Sequence, residues 1–183
     1  AYGFTADGNY REEASGHATG ANIPFLAPGA PRPEMSDALR KLREARAQRV
    51  WPARDDKVLT AWNGLMIGAL AIGSRDLGEP RYLAAATRAA DFLLTRMRHE
   101  GRLLRSWRDG QAHIPAYLDD HAALVDALLD LHEVTSEPRW RDEAQAVARA
   151  MVALFRDEQD GTFYFTAPDH EQLLTRSKDA FDQ

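Results

Sequence analysis

The sequence predicts an all-α fold, an arc of an (α/α)6 toroid built of inner and outer helical hairpins with short β connections. Three observations carry that prediction. The tetrapeptide Glu79-Pro80-Arg81-Tyr82 returns 58 residues later as Glu137-Pro138-Arg139-Trp140, each copy between two helix-like stretches. Each unit then runs into a glycine-marked turn, Asp109-Gly110 in the first and Asp160-Gly161 in the second. Within each unit the first helix is apolar on most sides and the second on one. Helical repeats of this length bury their apolar faces only against neighbouring hairpins. Full closure commonly takes six hairpins, and two complete ones are visible, at about 57–98 and 115–156.

Residues 1–35 read as an irregular linker or the start of the toroid, with 36–183 as the partial toroid itself. The first segment holds Asp7-Gly8-Asn9 and Pro24, Pro28, Pro31 and Pro33, the composition of turns, with one short strand near Tyr10. Ser36 is placed to cap a helix over about 37–49, and Pro52 stops it. The first inner helix carries a stripe of Leu59, Trp62, Met66, Leu70, Gly73 and Leu77, widened by Leu65, Ile67 and Ala69. A helix so apolar should pack on both flanks. Gly78 ends it and Pro80 opens the next, the usual asymmetry of helix ends. That outer helix, about 80–98, buries Tyr82, Leu83, Ala86, Ala90, Leu93 and Met97, and exposes Arg81, Arg88 and Arg96. In the second hairpin the inner helix (about 115–134) carries Leu118, Ala122, Val125, Leu128, Leu129 and Leu131, and the outer (about 138–156) buries Trp140, Ala144, Val147, Met151 and Phe155. Arg102 to Trp107 and Thr162 to Phe165 read as brief strands joining successive units.

Composition removes several function classes. A net charge of -5 offers no basic excess to neutralise phosphates, so neither nucleic acid nor an anionic membrane is an expected partner. The one basic run, Arg40-Lys41 with Arg43, Arg46 and Arg49, reads as a solvated helix face. With no cysteine, disulfides, thiolate metal sites and thiol nucleophiles are excluded within these residues. No apolar run approaches the roughly 20 residues that span a bilayer, and no signal peptide is evident, so a cytoplasmic setting is expected. The chain opens at Ala1-Tyr2 and stops at Asp182-Gln183 without a closing helix, which reads as a piece of something longer.

Chemistry is sought at the rim shared by the N-terminal ends of the inner helices. The repeat distance sets His121 opposite Asn63 and Asp120 opposite Trp62. Asn63 and His121 are thus polar groups at equivalent early positions in apolar helices, either facing a cavity or hydrogen-bonded into the core. Asp55 and Asp56, in the run Arg54-Asp55-Asp56-Lys57, either cap the first inner helix or join Asp119 and Asp120 as paired carboxylates for general acid and base work. His121 is the alternative base, since its intrinsic pKa suits proton abstraction near neutrality. Arg54, Lys57 and Asn63 are candidate substrate contacts, and Trp51, Trp62, Trp107 and Tyr117 candidate stacking platforms for a sugar ring. The remaining histidines show no metal spacing, and no phosphate loop, zinc motif or serine elbow is present, so no metal or cofactor is expected.

From Arg54-Asp55-Asp56-Lys57 through Val58-Leu59-Thr60-Ala61-Trp62-Asn63-Gly64-Leu65-Met66 the chain resembles the bacterial YyaL family, with its animal relative spermatogenesis-associated protein 20. The resemblance continues at Tyr117-Leu118-Asp119-Asp120-His121, where the family often has tyrosine in place of His121. It returns at Phe163 to His170 and at Arg176-Ser177-Lys178-Asp179. It implies a six-hairpin α/α toroid accompanied, in the full-length protein, by a thioredoxin-like domain that these residues lack, together with the rest of the ring. The toroid is similar to those of N-acylglucosamine 2-epimerases and hairpin-type glycoside hydrolases. The expected function is a carbohydrate-active-like toroid that binds, hydrolyses or isomerises a sugar or glycoconjugate. The alternative is a non-enzymatic scaffold or partner-binding module accompanying the thioredoxin-like domain.

Overall fold

The computed structural model describes residues 2–26, 28–29, 34–170 and 175–178. Pro31, Pro33, Asp179 and Asp182-Gln183 lie outside the described residues. The chain divides into two units, Ala1–Arg54 and Asp55–Gln183.

The first unit is irregular chain organised by Asn9. Its amide donates to the carbonyls of Gly3 (2.8 Å) and Ile23 (2.9 Å), and its oxygen accepts from the Ile23 N–H (2.7 Å). One side chain thereby satisfies three backbone groups that no sheet or helix serves. Where a strand near Tyr10 was expected there is a single bridge, Arg11 to Ala18. Helix α1 (Ser36–Ala47) follows, with no buried residue. Ser36 is its first residue, not its cap. Its hydroxyl and N–H both turn to the Glu34 carboxylate, leaving Met35 as an N-cap without a side-chain bond.

The second unit contains both hairpins. Strand β1 (Val58–Leu59) leads into inner helix α2 (Thr60–Leu77), and outer helix α3 (Pro80–Arg96) returns along it. Strands β2 (Arg98–His99), β3 (Arg102–Arg108) and β4 (Gln111–Pro115) cross to inner helix α4 (Leu118–Thr135) and outer helix α5 (Pro138–Phe155). All pairings are antiparallel, with β3 hydrogen-bonded to β1, β2 and β4. Asp109 (φ 52) and Gly110 (φ 83) form the β3–β4 turn, the doubly left-handed type that matches strand twist. Thr162 to Phe165 is not a strand; it makes one bridge, Phe163 to Arg156.

The inner helices pack on one another, and each outer helix covers its own inner partner. The outer helices bury the residues their pattern predicts: Ala86, Ala90 and Leu93 on α3, and Trp140, Ala144, Val147 and Phe155 on α5. Met151 is half-buried, as are Tyr82 and Leu83. The inner helices correct the reading. On α2 the buried stripe is Thr60, Ala61, Gly64, Ile67, Gly68, Ala71 and Ser74, whereas Trp62, Leu65, Met66 and Leu77 of the expected apolar surface lie exposed. On α4, Ala122 and Leu129 are likewise exposed. The physical reason is close approach. A Cβ on Gly64 would stand 2.7 Å from the Ala123 carbonyl oxygen, so the small face, and not the bulky one, is what fits against α4.

Candidate functional site

The repeat holds atom by atom at the inner-helix N-termini. Asn63 Nδ2 donates to the carbonyl of Leu59, the N-cap of α2, at 2.8 Å. His121 Nδ1 makes the same bond, at 2.8 Å, to the carbonyl of Tyr117, the N-cap of α4. Of the two readings left open for this pair, the hydrogen-bonded one describes both. A carbonyl only accepts, so Nδ1 of His121 carries the proton. The imidazole is 3% exposed, lies edge-on to Phe155 at 5.1 Å, and borders a small pocket with Arg98, Leu103 and Val147.

Burial holds the His121 pKa below its ordinary value, against the pull of the Tyr117 carbonyl, with Arg102 and Arg98 adding to the depression and Asp119 opposing it. As pH falls, the unfolded chain therefore takes up this proton first. The stability contributed by neutral His121 is complete above about pH 6.5 and is lost as pH drops toward the depressed native value. His121→Asn, which copies the Asn63 arrangement, is expected to flatten this part of a plot of urea midpoint against pH. A slope unchanged from the parent would show that His121 does not carry it.

Asp120 is fully buried and fully used. Its Oδ1 accepts the Ala61 N–H of α2 at 3.0 Å, and its Oδ2 accepts the Tyr117 N–H at 3.0 Å and Arg105 NH1 at 2.8 Å. One carboxylate thus caps both inner helices. Burial pushes its pKa up, opposed by the Tyr117 N–H, Arg105 and the Ala61 N–H. This corrects the capping role expected of Asp55 or Asp56: the N-cap of α2 is Leu59, with no side-chain bond from either. Asp55 instead accepts the Lys57 N–H and pairs with its ammonium at 3.3 Å, while Asp56 pairs with Arg108 at 3.3 Å; all of these are exposed.

Asp119 is partly exposed where Asp120 is fully buried. It lines an open groove between α2 and α4, of about 590 Å3, with Ala61, Trp62, Leu65, Ala122, Ala123 and Asp126. Trp62 is 72% exposed there. Both Asp119 oxygens accept from Arg105 NH1, at 3.0 and 3.3 Å, so one nitrogen is shared between the groove carboxylate and the buried one. Arg105 lies over the Tyr117 ring at 4.6 Å, and Tyr117 packs on Phe165 and His170. Reading the sequence missed Arg105. Its signal was the middle of three arginines in a short strand ahead of an Asp-Asp helix start.

The other stacking candidates lie elsewhere. Trp107 is edge-on to Phe92 at 5.4 Å and beneath Arg96, on the outer-helix side of the hairpin sheet. Arg54 and Trp51 belong to the N-terminal unit. Among the described residues no three His, Asp or Glu side chains are placed to hold a metal ion, and no helix is long and apolar enough to cross a membrane.

No protein-family model matches the chain. Human spermatogenesis-associated protein 20 is 35% identical over 145 residues, covering 74% of this chain and 18% of its own length. The mouse protein is 34% identical over the same span, and an uncharacterized protein of Caenorhabditis elegans is 32% identical over 118 residues, 60% of this chain and 16% of its own length. The chain spans less than a fifth of the curated relatives it matches. Among solved structures, cellobiose 2-epimerase from Bacillus thermoamylovorans superposes with a TM-score of 0.56 at 20% identity, covering 67% of this chain and 33% of that one. A GH76 alpha-mannanase from Bacteroides thetaiotaomicron gives 0.56 at 13% identity, covering 63% and 33%. Cellobiose 2-epimerase from Spirochaeta thermophila gives 0.55 at 15% identity, covering 73% and 41%. Such identities speak for fold alone. By sequence the chain is a relative of spermatogenesis-associated protein 20, and by fold it is built like part of an α/α-hairpin toroid.

Proposed function

We propose that this chain supplies part of the sugar-binding surface of a carbohydrate-active α/α toroid. The observation that carries the reading is Trp62, an indole left exposed beside two carboxylates, Asp119 and Asp126, in the α2–α4 groove. A sugar ring has an apolar C–H face and a rim of hydroxyls. An exposed indole matches the face, and carboxylates match the rim. The solved neighbours quoted above are named for action on cellobiose or mannan, which supports a sugar as the ligand class. Of the five residues considered for catalysis, Asp119 is the one whose position supports a part in chemistry. Asp120 and His121 have the geometry of caps, and Asp55 and Asp56 that of surface ion pairs.

The test is a titration of the protein with neutral mono- and disaccharides, followed by the indole N–H resonance of Trp62. A saturable shift of that resonance is expected at millimolar sugar, with affinity about tenfold weaker in an Asp119→Asn variant. No shift at any concentration would favour the scaffold reading, in which the exposed Trp62, Leu65 and Met66 form a protein-binding surface.

A further inference from the structure

Arg96 is the last residue of α3, and the chain turns there into β2 through Met97, which is fully buried. The turn sets Arg96, Arg98 and His99 against the β3–β4 hairpin, where Trp107 and Ala112 are cross-strand partners. These side chains wall an open pocket of about 350 Å3 that shares no residue with the α2–α4 groove. Most arginines of this unit meet a carboxylate, as Arg75 meets Glu133 and Arg139 meets Asp91. Arg96 does not. Its guanidinium lies over the Trp107 ring at 5.5 Å, and among the described residues none of its N–H donors has an acceptor. The His99 imidazole is exposed and equally without a partner among them. Arg98 gives NH2 to Glu143 at 2.9 Å and keeps Nε and NH1 unpaired. Among the described residues no Asp or Glu lines the pocket.

A cation in the last turn of a helix suits the dipole, which accounts for one charge at Arg96. It does not account for two more nitrogen-bearing side chains gathered beside it with no acid among them. In a chain of net charge -5 the pocket is a local positive field with unused donors. We propose that it binds the phosphate group of a small organic phosphate monoester. The planar N–H fork of a guanidinium meets two phosphate oxygens at once, which is the part of Arg96. His99 and Arg98 are the donors at hand for the third oxygen, and Leu104, Trp107 and Ala112 offer the carbon body an apolar wall. A phosphate monoester brings about two charges and three acceptor oxygens, where a carboxylate brings one charge and two, so this donor set matches the phosphate better. The pocket and the sugar groove stand apart, and either can bind its ligand without the other.

Phenyl phosphate, inorganic phosphate and benzoate are the probes, each titrated against the indole N–H resonances of Trp107 and Trp62. Phenyl phosphate is expected to shift the Trp107 resonance saturably and to leave that of Trp62 in place. Inorganic phosphate, which lacks the body, and benzoate, which lacks the phosphate, should each bind about tenfold more weakly. Arg96→Gln should weaken phenyl phosphate about tenfold or more. Arg88→Gln is its control: Arg88 is an exposed arginine of the same helix that lies outside the pocket, and its loss changes the net charge equally. Arg96 is itself exposed, so neither variant disturbs the core. No binding of phenyl phosphate, or a shift at Trp62 alone, overturns the proposal. Equal weakening by Arg96→Gln and Arg88→Gln overturns it too, since general surface charge would then account for the binding. Benzoate bound as tightly as phenyl phosphate overturns the assignment of a phosphate.

Discussion

Asp120→Asn is expected to destabilise the second unit by about 3–5 kcal/mol, the largest effect of any polar substitution in this chain. The carboxylate serves donors on two sides, the Ala61 N–H at one oxygen and the Tyr117 N–H with Arg105 at the other. An asparagine carbonyl can accept on one side only. Its amide then faces a second donor at zero exposure, where an unmatched polar group carries its full desolvation penalty. Arg105 would lose its buried counter-ion as well. Against a total stability of about 5–15 kcal/mol for a typical domain, such a loss approaches unfolding. Thermal unfolding followed by helical circular dichroism should show a midpoint about 10 °C lower. Asp119→Asn is the control. Asp119 is partly exposed and among the described residues meets only Arg105, so a change under about 1 kcal/mol is expected. Equal effects from the two would show that Asp120 is not the double cap its geometry describes.

The contrast between these neighbouring aspartates marks where sequence reasoning stops. The repeat ruler sets Asp120 opposite Trp62, one buried in the helix seam and the other exposed in the groove, so equivalence in register did not carry equivalence in environment. Asp120 serves the helix before its own as well as its own, and that role depends on Ala61 and Asp120, 59 residues apart, being neighbours in space. The ruler succeeded for Asn63 and His121 because each bonds a carbonyl four residues back, a purely local contact. Outer helices were readable for a related reason. Their one-sided pattern names the buried face directly, as at Ala86, Ala90 and Leu93. The inner helices are apolar almost all round, so periodicity selects no face. The choice fell to side-chain size instead, and the bulky Trp62 and Met66 were left outside the seam.

Size at that seam leads to the second large effect, a contrast between two glycines of the same helix. Gly64 and Gly73 both have helical backbone, and in isolation either would gain about 1 kcal/mol from replacement by alanine. At Gly73 the nearest atom to a new Cβ is Tyr82 Cδ2 at 3.7 Å, an ordinary contact, so Gly73→Ala should stabilise by about 0.5–1 kcal/mol. At Gly64 the new Cβ would stand 2.7 Å from the carbonyl oxygen of Ala123 and 2.8 Å from its carbon. Those are backbone atoms of α4 and cannot turn aside, so the two helices must separate. Overpacking of this kind costs about 1–3 kcal/mol, and separation also stretches the Ala61–Asp120 bond three residues earlier. Gly64→Ala is therefore expected to lose about 2 kcal/mol net, roughly 3 kcal/mol apart from Gly73→Ala in urea denaturation. Because the α2–α4 spacing also sets the distance from Trp62 to Asp119, sugar affinity should fall in Gly64→Ala and stay level in Gly73→Ala. A Gly64→Ala protein as stable as the parent would mean that the seam has room to spare, and that the small-residue face does not set the width of the groove.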